Sequence, residues 1–185
     1  NIHFVLRSFK WKHKTGELRY IFRNRFQLID TLDEKVLQTW RKNREKAYNG
    51  SIRHFLSCLI NDELENSGFQ VFDVKEINPS KPLHMQNIIL DPYNYLLQPS
   101  IIPDEKVIKF SKFLKVVYTR EALVSEDLNQ LVITKEKPQV SWLKMRRREV
   151  TIDLYGDPQG TANFETFGYW AVFGVAEMLP KYYVP

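Results

Sequence analysis

The amino-acid sequence predicts an α+β fold, in which an antiparallel β-sheet carries two or three helices packed on one face. Two observations lead to this prediction. Two apolar stripes at helical spacing follow each other closely in the first third of the chain, and short stretches rich in β-branched and aromatic residues occupy much of the rest. We expect the 185 residues to form a single domain, because a chain of this length buries enough surface for one core.

The first predicted element is a β-hairpin with arms at residues 2–9 and 18–29. Lys14, Thr15 and Gly16 lie between the arms and are typical of a turn. Apolar and basic residues alternate in part along the second arm, where Tyr20, Phe22 and Phe26 are set among Arg19, Arg23 and Arg25. We therefore expect one apolar face and one basic face.

Two helices with a very short connection are predicted next. Thr31 and Glu34 have the spacing of a capping box, and the first helix continues from them to Tyr48. Gly50 ends it, since glycine readily adopts the left-handed conformation that follows many helices, and Ser51 caps the second helix. That helix, which we expect to end at Gly68, carries the apolar stripe Ile52, Phe55, Leu56, Leu59, Ile60 and Leu64.

The remaining sequence predicts short strands, a long loop and one more helix. The strands are expected at residues 69–77, 106–110, 113–119, 131–134, 139–143 and 149–155. Residues 78–103 are rich in proline and lack periodicity, so they are predicted to form a long surface loop. Residues 168–179 are apolar almost all round, which indicates a buried helix that Pro180 ends.

Charge is distributed unevenly along the chain. Residues 1–60 contain thirteen Lys and Arg against five Asp and Glu, whereas the rest contains fourteen against seventeen. Such asymmetry is found on surfaces that bind phosphate, nucleic acid or an acidic partner, as well as on ordinary solvated faces. The candidate anion-binding residues are Arg41, Lys42, Arg53, Arg146, Arg147 and Arg148.

Catalytic motifs are weak. Ser51 and His54 stand three residues apart, and a hydrolase using them as nucleophile and base is one alternative. A capping serine, however, already uses its oxygen on a backbone amide, and no third residue is evident to orient the imidazole. The four histidines lack metal-site spacing and no phosphate-binding glycine loop occurs, so we predict no cofactor and no metal.

Two clusters of residues resemble a known family. The first cluster is Trp40, Arg41, Lys42, Asn43, Arg44, Ala47, Tyr48, Asn49, Gly50, Ser51, His54, Phe55, Leu56, Leu59, Ile60, Gly68 and Phe69. The second is Gly168, Tyr169, Trp170, Leu179, Pro180 and Tyr182, with Lys181 at a position that is usually acidic. Together they resemble the Bacteroidota cell-envelope proteins described as carboxypeptidase-like regulatory domain-containing.

The resemblance implies an exported protein of the periplasm or outer membrane, of which this chain would be the part that follows an N-terminal β-sandwich module. That module confers no peptidase activity, and the family provides no catalytic residues to carry over. The implied function is a non-enzymatic module that binds a partner protein, as a subunit of an outer-membrane-associated complex. We interpret the following as structural residues: Trp40, Arg44, Tyr48, Gly50, Ser51, His54, Phe55, Gly168, Tyr169 and Trp170.

Overall fold

A computed structural model describes residues 2–14, 17–27, 29–127, 130–160, 163–172, 178–181, 183 and 185, with the side chains of all but 17, 19, 121–127 and 130–137. Its contacts divide the chain into two compact units, Asn1–Lys42 and Asn43–Pro185. The division falls within the first helix, and each unit is described by itself. The single domain expected from the sequence stays a prediction.

The first unit contains the hairpin and the start of a helix. Strands β1 (Ile2–Lys12) and β2 (Glu17–Phe26) pair antiparallel, as predicted, although β2 ends before residue 29. Thr15 and Gly16 of the predicted turn lie outside the described residues. Helix α1 (Glu34–Tyr48) begins after Asp33, whose Oδ1 accepts from Lys35 N at 2.9 Å. The predicted Thr31 cap is therefore wrong, because the carboxylate next to the first turn satisfies the free amides instead.

The second unit is built from many short elements. They are α2 (Ile52–Ile60), β3 (Phe69–Val74), a 3₁₀ turn (Leu83–Met85), β4 (Asn87–Ile88), α3 (Pro92–Leu96), β5 (Leu97–Pro99), β6 (Glu105–Ile108), β7 (Phe113–Asp127), β8 (Gln130–Met145), β9 (Val150–Asp153), β10 (Phe164–Gly168) and a 3₁₀ turn (Tyr169–Ala171).

The described strands form three antiparallel sheets. The hairpin is one, the order β10-β8-β7-β3-β4 forms a second, and β5-β6-β9 forms the third. The prediction of one sheet with two or three helices packed on one face is therefore wrong. Its error has a physical source: β5 comes from the segment expected to be a loop, and it pairs with β6 to build a sheet separate from β7 and β8.

Several boundaries also differ from those predicted. Helix α2 ends at Ile60 rather than near Gly68, because Asp62 takes a left-handed backbone (φ +59°). The side-chain amide of Asn61 also donates to the Ser57 carbonyl in the last turn. The two strands predicted at 131–134 and 139–143 are one strand, β8, whose register shifts close to Pro138. Proline has no amide hydrogen to donate to a regular strand ladder, so within a sheet it is tolerated at irregularities of this kind.

The predicted C-terminal helix begins where the structure has a strand. Gly168 is the last residue of β10, and a single 3₁₀ turn follows it. Residues 173–177, the middle of the predicted helix, lie outside the described residues. Strand β10 was not predicted, because the apolar content of its five residues does not by itself distinguish a strand from a helix. What makes it a strand is its pairing with β8, which is distant in sequence.

The hydrophobic core of the second unit lies among α2 and the two larger sheets. Phe55 and Leu59 of α2 are buried with Leu114 and Leu143 of the five-stranded sheet and with Ile152 of the three-stranded sheet. This core fixes α2, and α2 in turn positions the connection at Gly50.

Candidate functional site

Gly50 connects α1 to α2 and has a backbone conformation that other residues rarely adopt. Its φ is +68°, and a Cβ atom placed there would overlap Oε1 of Gln139 and lie 2.7 Å from the ring of Tyr118. Both neighbours are buried in the five-stranded sheet, so neither moves away without cost. The connection therefore requires glycine.

Ser51 and His54 both serve the helix connection through hydrogen bonds. The Ser51 hydroxyl oxygen accepts from His54 N at 3.1 Å, which caps α2 as predicted. The Nδ1 atom of His54 accepts from Gly50 N at 3.1 Å, which requires the neutral tautomer with its proton on Nε2. Burial of the ring, together with the positive charge of Arg120, lowers the pKa of His54 to about 4.

The imidazole of His54 is surrounded by aromatic rings. Its centroid lies 4.8 Å from that of Tyr48, 5.0 Å from that of Phe69 and 5.7 Å from that of Tyr118. Three aromatic neighbours favour an uncharged ring in a position of low polarity. His54 thus gives the Gly50 amide an acceptor at the helix connection, and its interpretation as a structural residue stays a prediction.

Trp170 reaches the same connection from the far end of the sequence. Its indole Nε1 donates to the Gly50 carbonyl at 2.7 Å, and its backbone amide donates to Ser141 Oγ at 3.2 Å. Its ring lies 5.6 Å from that of Phe55. The two sequence clusters that carry the family resemblance thus meet here, at a site we call the Gly50 corner: Tyr48, Gly50, Ser51, His54, Phe55 and Trp170.

The other structural candidates lie around or outside the Gly50 corner. Gly168 has φ +70°, and a Cβ there would lie 2.5 Å from the Val140 carbonyl oxygen, so β10 also requires glycine at its end. Tyr169 packs against the core. The guanidinium of Arg44 lies over the ring of Tyr183, 5.8 Å from its centroid. Trp40 belongs to the first unit and is half-buried.

The geometry does not assemble a serine hydrolase from Ser51 and His54. A general base needs a ring nitrogen aimed at the hydroxyl proton, and Nδ1 of His54 is occupied by the Gly50 amide. The serine oxygen is occupied as well, by the His54 amide. A pKa of about 4 also makes the imidazole a poor proton acceptor near neutral pH.

The six candidate anion-binding residues are divided between the two units. Arg41 and Lys42 belong to the first unit. Arg53 donates from Nη1 to the Pro180 carbonyl oxygen, and Nη2 of Arg146 pairs with Glu165 at 3.2 Å. Arg147 and Arg148 are exposed.

Lys181, which departs from the family pattern, has acidic neighbours. Its Nζ lies 3.1 Å from Asp157 Oδ2 and 3.6 Å from Asp153 Oδ2. The Oδ1 atom of Asp153 accepts from the amides of Tyr155 and Asp157, each at 3.0 Å, so this carboxylate shapes the turn that follows β9. The ion pairs with Lys181 and the hydrogen bonds of the turn therefore give Asp153 and Asp157 structural roles.

Seven large apolar side chains are exposed within the segment that the sequence predicted as a loop, in a part that we call the 83–102 segment. Its large exposed side chains are Leu83, Met85, Ile88, Leu90, Tyr95, Ile101 and Ile102. Leu90 is 89% exposed and Ile101 is fully exposed. Asp91 is the one Asp, Glu, Lys or Arg residue between positions 83 and 102. The segment therefore exposes many apolar groups and is almost uncharged.

The backbone of the 83–102 segment is anchored to the core. Ile89 N donates to the Val71 carbonyl at 2.8 Å, and the hydroxyl of Tyr95 donates to Asp73 at 3.1 Å. Asp91 caps α3 by accepting from Asn94 N at 3.0 Å, while Leu96 is buried in the core. Exposed apolar groups on an anchored backbone are typical of a binding surface, because little order must be gained on binding.

No protein-family model, curated protein or solved structure matches the chain. Within the described ranges, no group of three or more His, Cys, Asp or Glu side chains is arranged to hold a metal ion. Among the same residues, no helix combines the length and the apolar character needed to span a lipid bilayer.

Proposed function

We propose that the chain is a non-enzymatic module of the bacterial cell envelope that binds a partner protein through the 83–102 segment. The observation that carries this proposal is the run of exposed apolar side chains on an anchored backbone. Monomeric proteins rarely leave so many large apolar groups in water on one segment unless the segment binds something.

The chemistry of the segment favours a protein partner over nucleic acid. Nucleic-acid surfaces need positive charge to contact phosphates, and residues 83–102 contain no Lys or Arg. Isoleucine, leucine, methionine and tyrosine side chains instead fit an apolar groove with a polar rim. The family resemblance supplies the proposed location, which is the periplasm or the periplasmic side of the outer membrane, and the proposed role as subunit of an envelope complex.

The geometry of the Gly50 corner supports the non-enzymatic part of the proposal. Ser51 and His54 are engaged with the backbone of the corner, and the motif residues around them pack or hydrogen bond. Packing and hydrogen bonding at the corner are sufficient to explain why it contains these residue types, with no catalytic role required. The hydrolase alternative therefore has no supporting geometry at this position.

A double substitution in the 83–102 segment tests the proposal. The protein carrying Leu90→Ser and Ile101→Ser, and the unchanged protein, would be used to capture partners from detergent-solubilised envelope, followed by quantitative mass spectrometry. We expect one envelope protein to be recovered at least about tenfold less with the double variant, since two apolar anchors of an interface together contribute more than ~1.4 kcal/mol.

The matched control is Leu32→Ser, because Leu32 is also fully exposed but lies in the first unit. It removes an equally exposed apolar group without touching the 83–102 segment. The captured protein would then be purified and its affinity for each variant measured directly. Equal affinity for the unchanged protein and the Leu90→Ser, Ile101→Ser variant would contradict the proposal.

A further inference from the structure

The β1–β2 hairpin places its phenylalanine, tyrosine and tryptophan rings on the face opposite its strand-paired basic side chains. Directly paired residues of a hairpin point to the same side, and Leu6 pairs with Phe22, Phe9 with Tyr20 and Trp11 with Leu18. Ring contacts agree with this register, since Phe4 and Phe22 lie 4.8 Å apart. The apolar face therefore includes Phe4, Leu6, Phe9, Trp11, Leu18 and Phe22.

A β-bulge at Arg7 makes the apolar face continuous. The register shifts between Leu6 and Ser8, so that Arg7 is an extra residue in β1. Without the extra residue, strict alternation would place Phe9 and Trp11 on the side opposite Phe4 and Leu6. The bulge thus brings four large apolar residues of β1 onto one side of the ribbon.

The opposite face of the hairpin is cationic. Arg23 pairs with Val5, and Arg25 pairs with His3. Lys10 also lies on this side. Residues 2–27 contain seven Lys and Arg and one Asp or Glu, whereas the second unit contains seventeen Lys and Arg against eighteen Asp and Glu. The positive charge of the chain is therefore concentrated on the ribbon.

The apolar face of the ribbon is largely exposed to solvent. Phe9 is 59% exposed and Trp11 is 62% exposed. A ribbon of two strands is marginally stable in water, because it has no second layer against which to bury such a face. An occupant that covers the face would stabilise it.

Charge decides among the possible occupants. A second copy of the chain would bring two cationic ribbons together, which like-charge repulsion opposes. Single-stranded nucleic acid needs aromatic rings and cations on the same face, so that bases stack while phosphates pair, but here they lie on opposite faces. The surface of a lipid bilayer can bind the apolar and the cationic groups at the same time. Aromatic and aliphatic groups enter the boundary between headgroups and acyl chains, while Lys and Arg remain within about one Debye length, ~8 Å, of anionic headgroups.

We propose that the β1–β2 hairpin binds the surface of an anionic lipid bilayer, with its apolar face at the boundary between headgroups and acyl chains. Trp11 and Phe9 enter this boundary, where aromatic rings are favoured. Lys10, Arg23 and Arg25 hold the ribbon to the anionic surface by charge. The binding does not depend on the 83–102 segment, so it is distinct from the proposed protein docking.

Vesicle flotation with the full chain tests this proposal. The protein would be mixed with vesicles of phosphatidylcholine alone or of phosphatidylcholine with phosphatidylglycerol. We expect stronger partition onto the anionic vesicles, and a loss of at least about tenfold for the Phe9→Ser, Trp11→Ser variant on them, since each large side chain removed from the acyl boundary weakens insertion. The Arg23→Gln, Arg25→Gln variant is expected to lose roughly tenfold on anionic vesicles only.

The matched control is Ile21→Ser, since Ile21 is 65% exposed but lies on the cationic face. This variant is expected to partition like the unchanged protein. A lipid with brominated acyl chains gives a second readout, because it quenches a tryptophan that enters the boundary, and Trp11→Phe should remove that quenching while binding persists. Circular dichroism of each variant checks that its fold is kept.

Several results would overturn the proposal. These are the absence of binding to anionic vesicles, or an equal loss for Ile21→Ser and for Phe9→Ser, Trp11→Ser. Binding to a single-stranded oligonucleotide with none to vesicles would assign the ribbon to nucleic acid instead. A dimer that the Phe9→Ser, Trp11→Ser variant dissociates, again without vesicle binding, would assign the face to a second copy.

Discussion

The Gly50 corner and the β1–β2 hairpin are both rich in aromatic residues, yet they place them in opposite environments. At the corner, Phe55 and Trp170 are buried, and the Gly50 amide and carbonyl are bonded to His54 and Trp170. On the hairpin, Phe9 and Trp11 are mostly exposed. Aromatic content alone therefore does not distinguish a core from a binding face. What distinguishes them is whether other elements of the protein cover the aromatic side chains.

This difference separates stability from binding. Substitutions at the Gly50 corner remove contacts within the protein, so they are expected to lower the free energy of unfolding. Substitutions on the exposed hairpin face remove few such contacts, so they are expected to change association instead. Three measurements of stability test whether the two regions differ in this way.

The largest effect is expected for Gly50→Ala. The added methyl group meets Gln139 and Tyr118, both buried, and an alanine at φ +68° is strained even in open space. We expect the free energy of unfolding to fall by at least ~3 kcal/mol. Denaturation by urea, followed by circular dichroism, measures the loss.

Gly160→Ala provides the matched control. Gly160 also has a positive φ, +83°, but a Cβ there lies 3.5 Å from the nearest atom, Nη1 of Arg147, which is ordinary contact. Only backbone strain remains, so a loss of about 1 kcal/mol is expected. Equal losses for the two variants would show that the packing of Gly50 against the sheet is unimportant.

A smaller effect is expected when the solution is acidified, because His54 titrates differently in the folded and unfolded states. Its pKa is about 4 when folded and 6.5 in the unfolded chain, so the unfolded state binds the proton more readily. The stability that His54 contributes is fully present above pH 6.5 and is lost as pH falls towards 4. We expect a loss of ~2 kcal/mol, reduced from the full value because the ring is partly exposed.

His54→Gln isolates this contribution from that of the carboxylates. Glutamine keeps an oxygen that accepts from the Gly50 amide but does not titrate between pH 4 and 6.5. The difference in unfolding free energy between the two proteins should therefore narrow as pH falls through this window. A difference that is constant between pH 7 and 4 would mean that His54 keeps its ordinary pKa.

Short-range signals in the sequence predicted part of this picture. The Ser51 cap, the break at Gly50 and the apolar stripe of α2 depend on neighbours within a few residues, and the structure has all three. The alternation in β2 likewise predicted an apolar and a basic face. The identity of the first cap was wrong: Asp33 lies next to the first turn and accepts from Lys35 N, whereas Thr31 accepts from Asp33 N, before the helix begins.

Long-range pairing was beyond the reach of local patterns. Nothing in residues 97–108 or 150–153 indicates that they form a sheet of their own, because each strand is short and pairs with partners far away in sequence. The bond from Trp170 to Gly50 spans 120 positions, and strand β10, which leads to Trp170, was not predicted. The bulge at Arg7 was missed as well, so the full extent of the apolar face was not predicted.

The smallest effect on stability is expected for the hairpin. Trp11 is 62% exposed and, apart from a ring contact with His13 at 5.4 Å, has no aromatic neighbour among those described. Replacing it by serine should change the free energy of unfolding by no more than ~0.5 kcal/mol, since little apolar surface returns to water. Urea denaturation of Trp11→Ser, compared with that of Gly50→Ala, measures the contrast directly. A loss of several kcal/mol for Trp11→Ser would mean that the apolar face of the hairpin is covered within the chain itself, and the two regions would then differ far less than their exposed fractions indicate.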